Sequence, residues 1–491
     1  MSSRLLSILL ALLLFPALAR AEVPARFQGK LEPCRIERLD EEVLCGKLPV
    51  WENREARSGR KIDLHVVVLP AKSPSPVPDP LFYLSGGPGE SAIELAYFFP
   101  QIFGRLRRDR DLVFVDQRGT GKSGMLACTL PGSEDDPQGY LREMFPIESI
   151  RACAAELSKK ADLRQYTNIQ VLDDLDDIRA WLGYERINLY GGSYGSRAAM
   201  VYLKRHPEHV RSVVLDALVP IDLRSPSTYA RTAQTALDRL FDDCAAEEAC
   251  RTAFPNLRTE MKTVLERLDR APGKATVKHP KTGQPVELTI PRTSFTTTLR
   301  SMQYSPYGGY VLIPMVIHKA FEGDYGPIIR QALQRGGPAN WTGGFLSITC
   351  AEDLARLDPA VAKRLAAGTY LGEDRVRQQK AACAAWPTAR MPEDFWKPAE
   401  SPVPVLVLSG WLDPVTPPEM AKETLEHLPN HAHVMIRDAA HGTDGLNDFP
   451  CTYDIITQFV ESGSPIGLDT TCVNRMKRQP FALREEPPPQ E

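Results

Sequence analysis

Ser193 sits at the centre of a Gly-x-Ser-x-Gly run, Gly191-Gly192-Ser193-Tyr194-Gly195. A serine hydroxyl is a poor nucleophile unless a base takes its proton and an acid orients that base. A sharp turn from a buried strand into a helix solves the presentation problem, because it holds the central residue out above a sheet. Glycines on either side leave room by lacking a Cβ. The flanks fit this mechanics: "INLY" (187–190) reads as a buried strand, and a helix follows to about His206, ahead of Pro207. Ser196 falls one turn into that helix and reads as structural.

In this kind of turn the acid and then the histidine follow the serine, each in a loop at the carboxyl end of a strand. Four late histidines compete for the base. His427 lies in a helix-like stretch, and His431 and His433 open a strand, at its wrong end. His441, in "RDAAHGT", comes directly after that strand and is followed by glycine, so it is the expected base. For the acid, Asp413 in "VLVLSGWLDPVTPP" follows a buried strand, while Asp216 ends the earlier strand "VVLDA". Asp413 is preferred; Asp216 is expected to bond backbone near the start of the insertion described below.

Acyl transfer also needs N–H donors for the developing oxyanion. One is expected from Tyr194, the residue after the nucleophile, and the other from Gly87 in the glycine loop "SGGPGE" (85–90). A second glycine run, "DQRGTGKSG" (116–124), ends like a phosphate-binding loop. That motif needs glycine where Asp116 stands, and no helix start follows, so nucleotide binding is rejected. Asp116 and Arg118 are expected to pair and brace the first glycine loop.

These loops must be carried by a sheet. "LFYL", "DLVFV", "INLY", "VRSVVLD", "VPVLVL" and "HVMI" are short apolar runs, and most of them end in loops. Strands buried on both faces and alternating with helices imply a mainly parallel α/β sheet. "KIDLHVVVLPA" (61–71) alternates and reads as an edge or antiparallel strand. Thr167 to Gly183 has apolar residues at helical spacing, with Thr167 as N-cap and Gly183 as stop. Between 220 and 399 the pattern turns helical and then irregular, which suggests a mostly helical cap inserted between a first core part (22–219) and a second (400–480). Residues 481–491, "FALREEPPPQE", read as a loose tail.

At 491 residues and a net charge of −3, the chain has no basic run and hence no electrostatic footprint for nucleic acid. One arginine precedes the apolar run Leu5–Ala19, and Ala19-Arg20-Ala21 fits a cleavage site. The run is short for a membrane span, so residues 1–21 read as a signal peptide of an exported protein with no stable membrane anchor. Ten cysteines in an oxidising compartment favour disulfides over metal sites, and no C-x-x-C occurs. The expectation is pairing of sequence neighbours: Cys34/Cys45, Cys128/Cys153, Cys244/Cys250, Cys350/Cys383 and Cys451/Cys472.

With "GGPGES", "DQRGTGKS", "YGGSYGS", "SGWLDPVTP" and "AAHGT" in order over residues 60–450, the chain resembles the secreted tripeptidyl-aminopeptidase-like branch of the proline iminopeptidase family. The resemblance implies an α/β-hydrolase fold with an inserted cap, peptide substrates, and neither cofactor nor metal. It implies the roles already argued for Ser193, Asp413, His441, Gly87 and Tyr194. Ser85 stands where proline iminopeptidases tend to carry histidine, which favours the broader secreted branch over a strict proline preference. Such exopeptidases hold the substrate's α-ammonium with carboxylates, and Glu352 and Asp353 in "ITCAEDLARLD" are candidates; a solvated helix start explains them equally well. The leading reading is an exported serine aminopeptidase removing one to three residues. An esterase or lipase with the same triad is the alternative, and a hydrolase fold kept only for binding is a distant third.

Overall fold

In this computed structural model, residues 23–305, 309–335 and 341–484 are described. The expected signal segment, 1–21, lies outside them, as do residues 485–491 of the expected tail. Eleven strands occur among the described residues: β1 (Glu32–Cys34), β2 (Val43–Trp51), β3 (Lys61–Leu69), β4 (Leu81–Leu84), β5 (Leu112–Val115), β6 (Ile187–Gly192), β7 (Val210–Asp216), β8 (Gly273–Lys278), β9 (Pro285–Ile290), β10 (Val405–Gly410) and β11 (His431–Ile436). Nine form one sheet in the order β1-β2-β3-β5-β4-β6-β7-β10-β11, and β8 and β9 make a separate hairpin.

From β5 to β11 every neighbouring pair is parallel, while β1, β2 and β3 join antiparallel. β3 is thus antiparallel but interior, between β2 and β5. The parallel strands are apolar without a break because both faces are covered. In β10, Val405 and Val407 join the core on one face of the sheet, and Leu406 and Leu408 join the core on the other. β11 departs from that expectation. It is the outer strand, so alternate residues face solvent and Met435 is 47% exposed.

The helix before β6 spans Asn168–Leu182, and Gly183 ends it in the left-handed region at φ 89°. Such a C-terminal glycine tolerates positive φ without a Cβ penalty. Thr167 occupies the N-cap position, but its hydroxyl turns to Gln170 and makes no capping bond to a backbone N–H.

Within the insertion, the helices Tyr229–Ala246, Leu257–Arg270, Arg292–Met302 and Gly309–Glu322 and the β8–β9 hairpin pack around their own apolar core. The stretch after Trp341 behaves differently. Leu346, Ile348, Trp386, Phe395 and Ala399 join the core under the sheet, while Ala366, Tyr370 and Leu371 stay with the insertion's core, so this stretch is shared between the two. The expected tail also begins later than 481. Phe481 is buried, its ring stacks 6.0 Å from that of Tyr310, and the Ala482 amide donates to Val311 at 3.0 Å. One aromatic with apolar partners outweighs the polar composition after it.

All five disulfides join sequence neighbours: Cys34–Cys45, Cys128–Cys153, Cys244–Cys250, Cys350–Cys383 and Cys451–Cys472. Among the described residues no helix is long and apolar enough to cross a membrane.

Candidate active site

The parallel strands bring the candidate residues to one edge of the sheet. Ser193 follows β6, Asp216 ends β7, Asp413 follows β10 and His441 follows β11. Side chains from four neighbouring strands therefore meet at the carboxyl ends, where a twisted parallel sheet opens a crevice.

Ser193 has φ 53° and ψ −123°, a conformation that costs a non-glycine residue about 1–3 kcal/mol. The glycines make it attainable. A Cβ on Gly191 would lie 2.2 Å from the Gly195 carbonyl oxygen, and one on Gly195 would lie 2.0 Å from that of Leu84. The Ser193 amide donates to the Asp216 carbonyl at 2.8 Å, which locks the turn to β7. Ser196 donates from its hydroxyl to the Ser193 carbonyl at 2.6 Å and accepts from the Val219 amide at 2.9 Å, a bracing role.

His441 Nε2 lies 2.8 Å from Ser193 Oγ, and its Nδ1 lies 2.8 Å from Asp413 Oδ2. Asp413 is fully buried and accepts from the amides of Val415 at 2.7 Å and Thr416 at 2.9 Å, and from the Thr416 hydroxyl at 2.8 Å. Burial alone would push its carboxyl up. The His441 imidazole and these donors outweigh it and hold Asp413 below the ordinary carboxylate range. Burial pulls His441 the other way, yet the Asp413 charge wins and keeps it above the usual imidazole value. Ser193, His441 and Asp413 are in hydrogen-bond contact, an arrangement able to activate a serine for attack on a carbonyl.

The glycine loop reaches the serine. A Cβ on Gly86 would lie 3.5 Å from Ser193 Cβ, so Gly87 stands one residue from direct contact. Tyr194 opens the helix Tyr194–Arg205, where the first amides have no partner within the helix. Asp116 does brace this loop. It accepts from the Ser91 hydroxyl at 2.6 Å and from the Lys122 amide at 2.9 Å. The expected Asp116–Arg118 pair is not formed. Arg118 turns away to Asp174, 56 residues on, at 2.7 and 2.9 Å, because a buried guanidinium needs a bidentate carboxylate and Asp116 is already occupied.

Among the described residues Glu352 and Asp353 make no hydrogen bond to Ser193, His441 or Asp413. Both are buried, and each is occupied from within the protein. Asp353 binds Arg197 Nη1 at 2.5 Å; Glu352 accepts from the Asn168 amide at 2.8 Å and from Asn168 Nδ2 at 2.7 Å. Asn168 Oδ1 in turn accepts from Tyr194 Oη at 2.8 Å. These acids thus support the nucleophile helix, and the expectation that they hold a substrate ammonium gives way to that structural role. Burial pushes the Glu352 carboxyl up to about 7 even with Arg197 nearby.

Two other carboxylates share the surroundings of His441. Burial raises Glu90, against the pull of His441 and the Gly86 amide. Asp216 is raised to about 6 by burial, against its bond from Tyr190 Oη at 3.1 Å and the attraction of His441. Asp216 therefore bonds a phenol and not the backbone expected for it. Glu90 was hidden in the sequence as the end of a glycine loop; its nearness to the serine motif emerges only once β4 and β6 pair.

The fold and this constellation define an α/β-hydrolase carrying the machinery of a serine hydrolase. A family model described as alpha/beta hydrolase fold matches residues 79–258, and one described as TAP-like protein matches residues 369–472. The chain has the α/β-hydrolase fold and is similar over most of its length to tripeptidyl aminopeptidases. It is 26% identical over 445 residues to a tripeptidyl aminopeptidase of Streptomyces coelicolor, covering 82% of this chain and 77% of that protein. It is 31% identical over 241 residues to serine protease Hip1 of Mycobacterium tuberculosis; that match takes in 44% of this chain and only 45% of the relative, about half its length. A proline iminopeptidase of Neisseria gonorrhoeae is 28% identical over 138 residues, covering 28% of this chain and 31% of that protein.

Proposed function

We propose that the protein is an exported serine aminopeptidase that releases one to three residues from the free N-terminus of peptides. The observation that carries the reading is His441, placed 2.8 Å from both Ser193 Oγ and Asp413 Oδ2. His441 takes the hydroxyl proton as Ser193 Oγ attacks the scissile carbonyl, and the oxyanion is received by the amides of Gly87 and Tyr194. His441 then returns the proton to the leaving amine. Water, activated by the same imidazole, attacks the acyl-enzyme and frees the serine. Likeness to a tripeptidyl aminopeptidase over most of the chain supports peptides as substrates. The five disulfides and the N-terminal apolar segment support export.

Release of a single residue requires an ammonium group held next to the nucleophile. Since Glu352 and Asp353 are paired internally, Glu90 and Asp216, whose charges act on His441, take that role in this reading. The test is hydrolysis of peptide anilides with free and with acetylated N-termini, beside short acyl esters. Preference for the free amine is expected, and Glu90→Gln should raise KM for it about tenfold, the loss of one charge-assisted contact. Turnover of the esters alone would sink the peptidase reading and leave a carboxylesterase.

A further inference from the structure

Arg300 is a charge the mechanism above does not use. It lies on the helix Arg292–Met302 of the insertion, 5% exposed. Its Nη1 donates to Tyr304 Oη at 2.9 Å, and its guanidinium stacks 3.4 Å from the centroid of the Tyr229 ring. Tyr304 leads straight to the triad: its ring stands edge-on to His441 at 5.2 Å, and the charge of Arg300 is felt at that imidazole. A second cation, Arg375, reaches the same Tyr229 ring at 4.9 Å and lies 5.6 Å from Phe345. Phe345 contacts Trp341 at 6.2 Å, and Trp341 packs on Gly89 of the loop beside Ser193. An unbroken arc of side chains thus runs from the base, over both guanidiniums, to the glycine loop.

Among the described residues no carboxylate lies within ion-pair distance of the buried Arg300 or of the half-buried Arg375, whose Nε donates to Gln379 Oε1 at 3.0 Å, although most other buried arginines have one, as Arg118 has Asp174 and Arg197 has Asp353. Among the described residues Arg300 Nε and Nη2 have no hydrogen-bond partner, and neither does Gln303 Nε2 one turn away. Nε and Nη2 are the two N–H groups along one edge of the guanidinium, the pair that grips a carboxylate in bidentate fashion. A buried cation left without an anion is costly, so a site built this way is incomplete without a negatively charged occupant. Tyr229 responds to the same imbalance. Burial would push its phenol up, but Arg300 and Arg375 bring it down to about 7.

We propose that Arg300 and Arg375, with Gln303, form a subsite beside the triad that binds a carboxylate of the substrate. Two sources share this chemistry: the α-carboxylate of a short peptide, and an acidic side chain near the scissile bond. In either case the enzyme selects for a negative charge on its substrate. The inference rests on the peptidase reading only for the identity of the substrate, since the subsite itself is defined by the unpartnered donors.

The experiment compares kcat/KM of the full mature enzyme on matched pairs differing in one charge. Free against amidated C-termini of unblocked tetrapeptides read the α-carboxylate, and glutamate against glutamine at each position reads the side chain. The wild type is expected to favour the charged member of one series by about 10- to 100-fold, mostly through KM, the worth of a charge-assisted bidentate contact. Arg300→Gln and Arg375→Gln should each pull that ratio toward one. Active-site titration with a fluorophosphonate counts the folded enzyme in each preparation. Equal rates within every pair for the wild type would overturn the proposal with no variant needed, as would a ratio unchanged in both variants. Should no peptide be cleaved at all, nitrophenyl hemiglutarate against nitrophenyl butyrate reads the same subsite, so failure of the peptidase reading and failure of the subsite give different results.

Discussion

The backbone amide of His441 donates to the carbonyl oxygen of Tyr304 at 3.0 Å. The proposed base is therefore fastened to the inserted segment as well as to Asp413, and the same Tyr304 receives Arg300. Insertion and triad are one mechanical unit at this point. A shift of the Tyr304 turn moves the imidazole, and displacement of about 1 Å at such a group can cost 100-fold in rate.

His441 must be neutral to accept the serine proton, and Asp413 holds its pKa above the ordinary 6.5. As pH falls through that raised value the base becomes protonated and activity is lost, so the acid limb of kcat/KM should lie above pH 6.5. Asp413→Asn should shift the limb to lower pH and reduce kcat by about 10⁴. A pH profile with no acid limb between 5 and 8 would contradict the assignment of His441.

Gly195→Ala should abolish activity, because the new Cβ would lie 2.0 Å from the Leu84 carbonyl oxygen and force the serine turn off β4. Gly183→Ala is the comparison. It meets no atom within 4 Å, and it should lower stability by only about 1–2 kcal/mol through its positive φ while sparing turnover. Denaturant unfolding and active-site titration of both variants separate the two effects.

Glu352→Ala should act on stability. It removes both acceptors of Asn168 and half the acidic surroundings of the buried Arg197, a loss of about 3–5 kcal/mol. The ratio of rates on free and acetylated peptides, per titrated active site, should not change. A raised KM for the free amine at an unchanged Tm would return Glu352 to the substrate.

Replacing Cys350 and Cys383 together by serine frees a loop of 33 residues. The chain-entropy relation puts the loss at about 3–4 kcal/mol. Guanidinium unfolding of the variant against the wild type measures it directly, and an unaltered midpoint would show that the packing of 342–384 suffices without the bond.

The triad was legible because each member is written locally. A strand, five residues of turn and a helix frame Ser193; Asp413 and His441 each follow a recognisable apolar run. Pairing partners across the fold were not. Arg118 belongs to Asp174 and not to Asp116, and nothing near residue 352 announces that Arg197 lies buried against it. Arg300 carries no motif at all. In "RTSFTTTLRSM" it reads like a cation on a wet helix face, and only its burial without an acid gives it meaning. Local chemistry follows from sequence spacing, whereas the electrostatic company of a side chain is decided by packing of distant segments.

The five disulfides have sequence separations of 6 to 33 and occur strictly in succession, with no bond spanning or interleaving another. A chain threaded from its N-terminus can therefore complete each crosslink before the next pair of thiols emerges. Its correct connectivity is also the one that a vectorial, first-come oxidation produces, which leaves little work for a reshuffling enzyme.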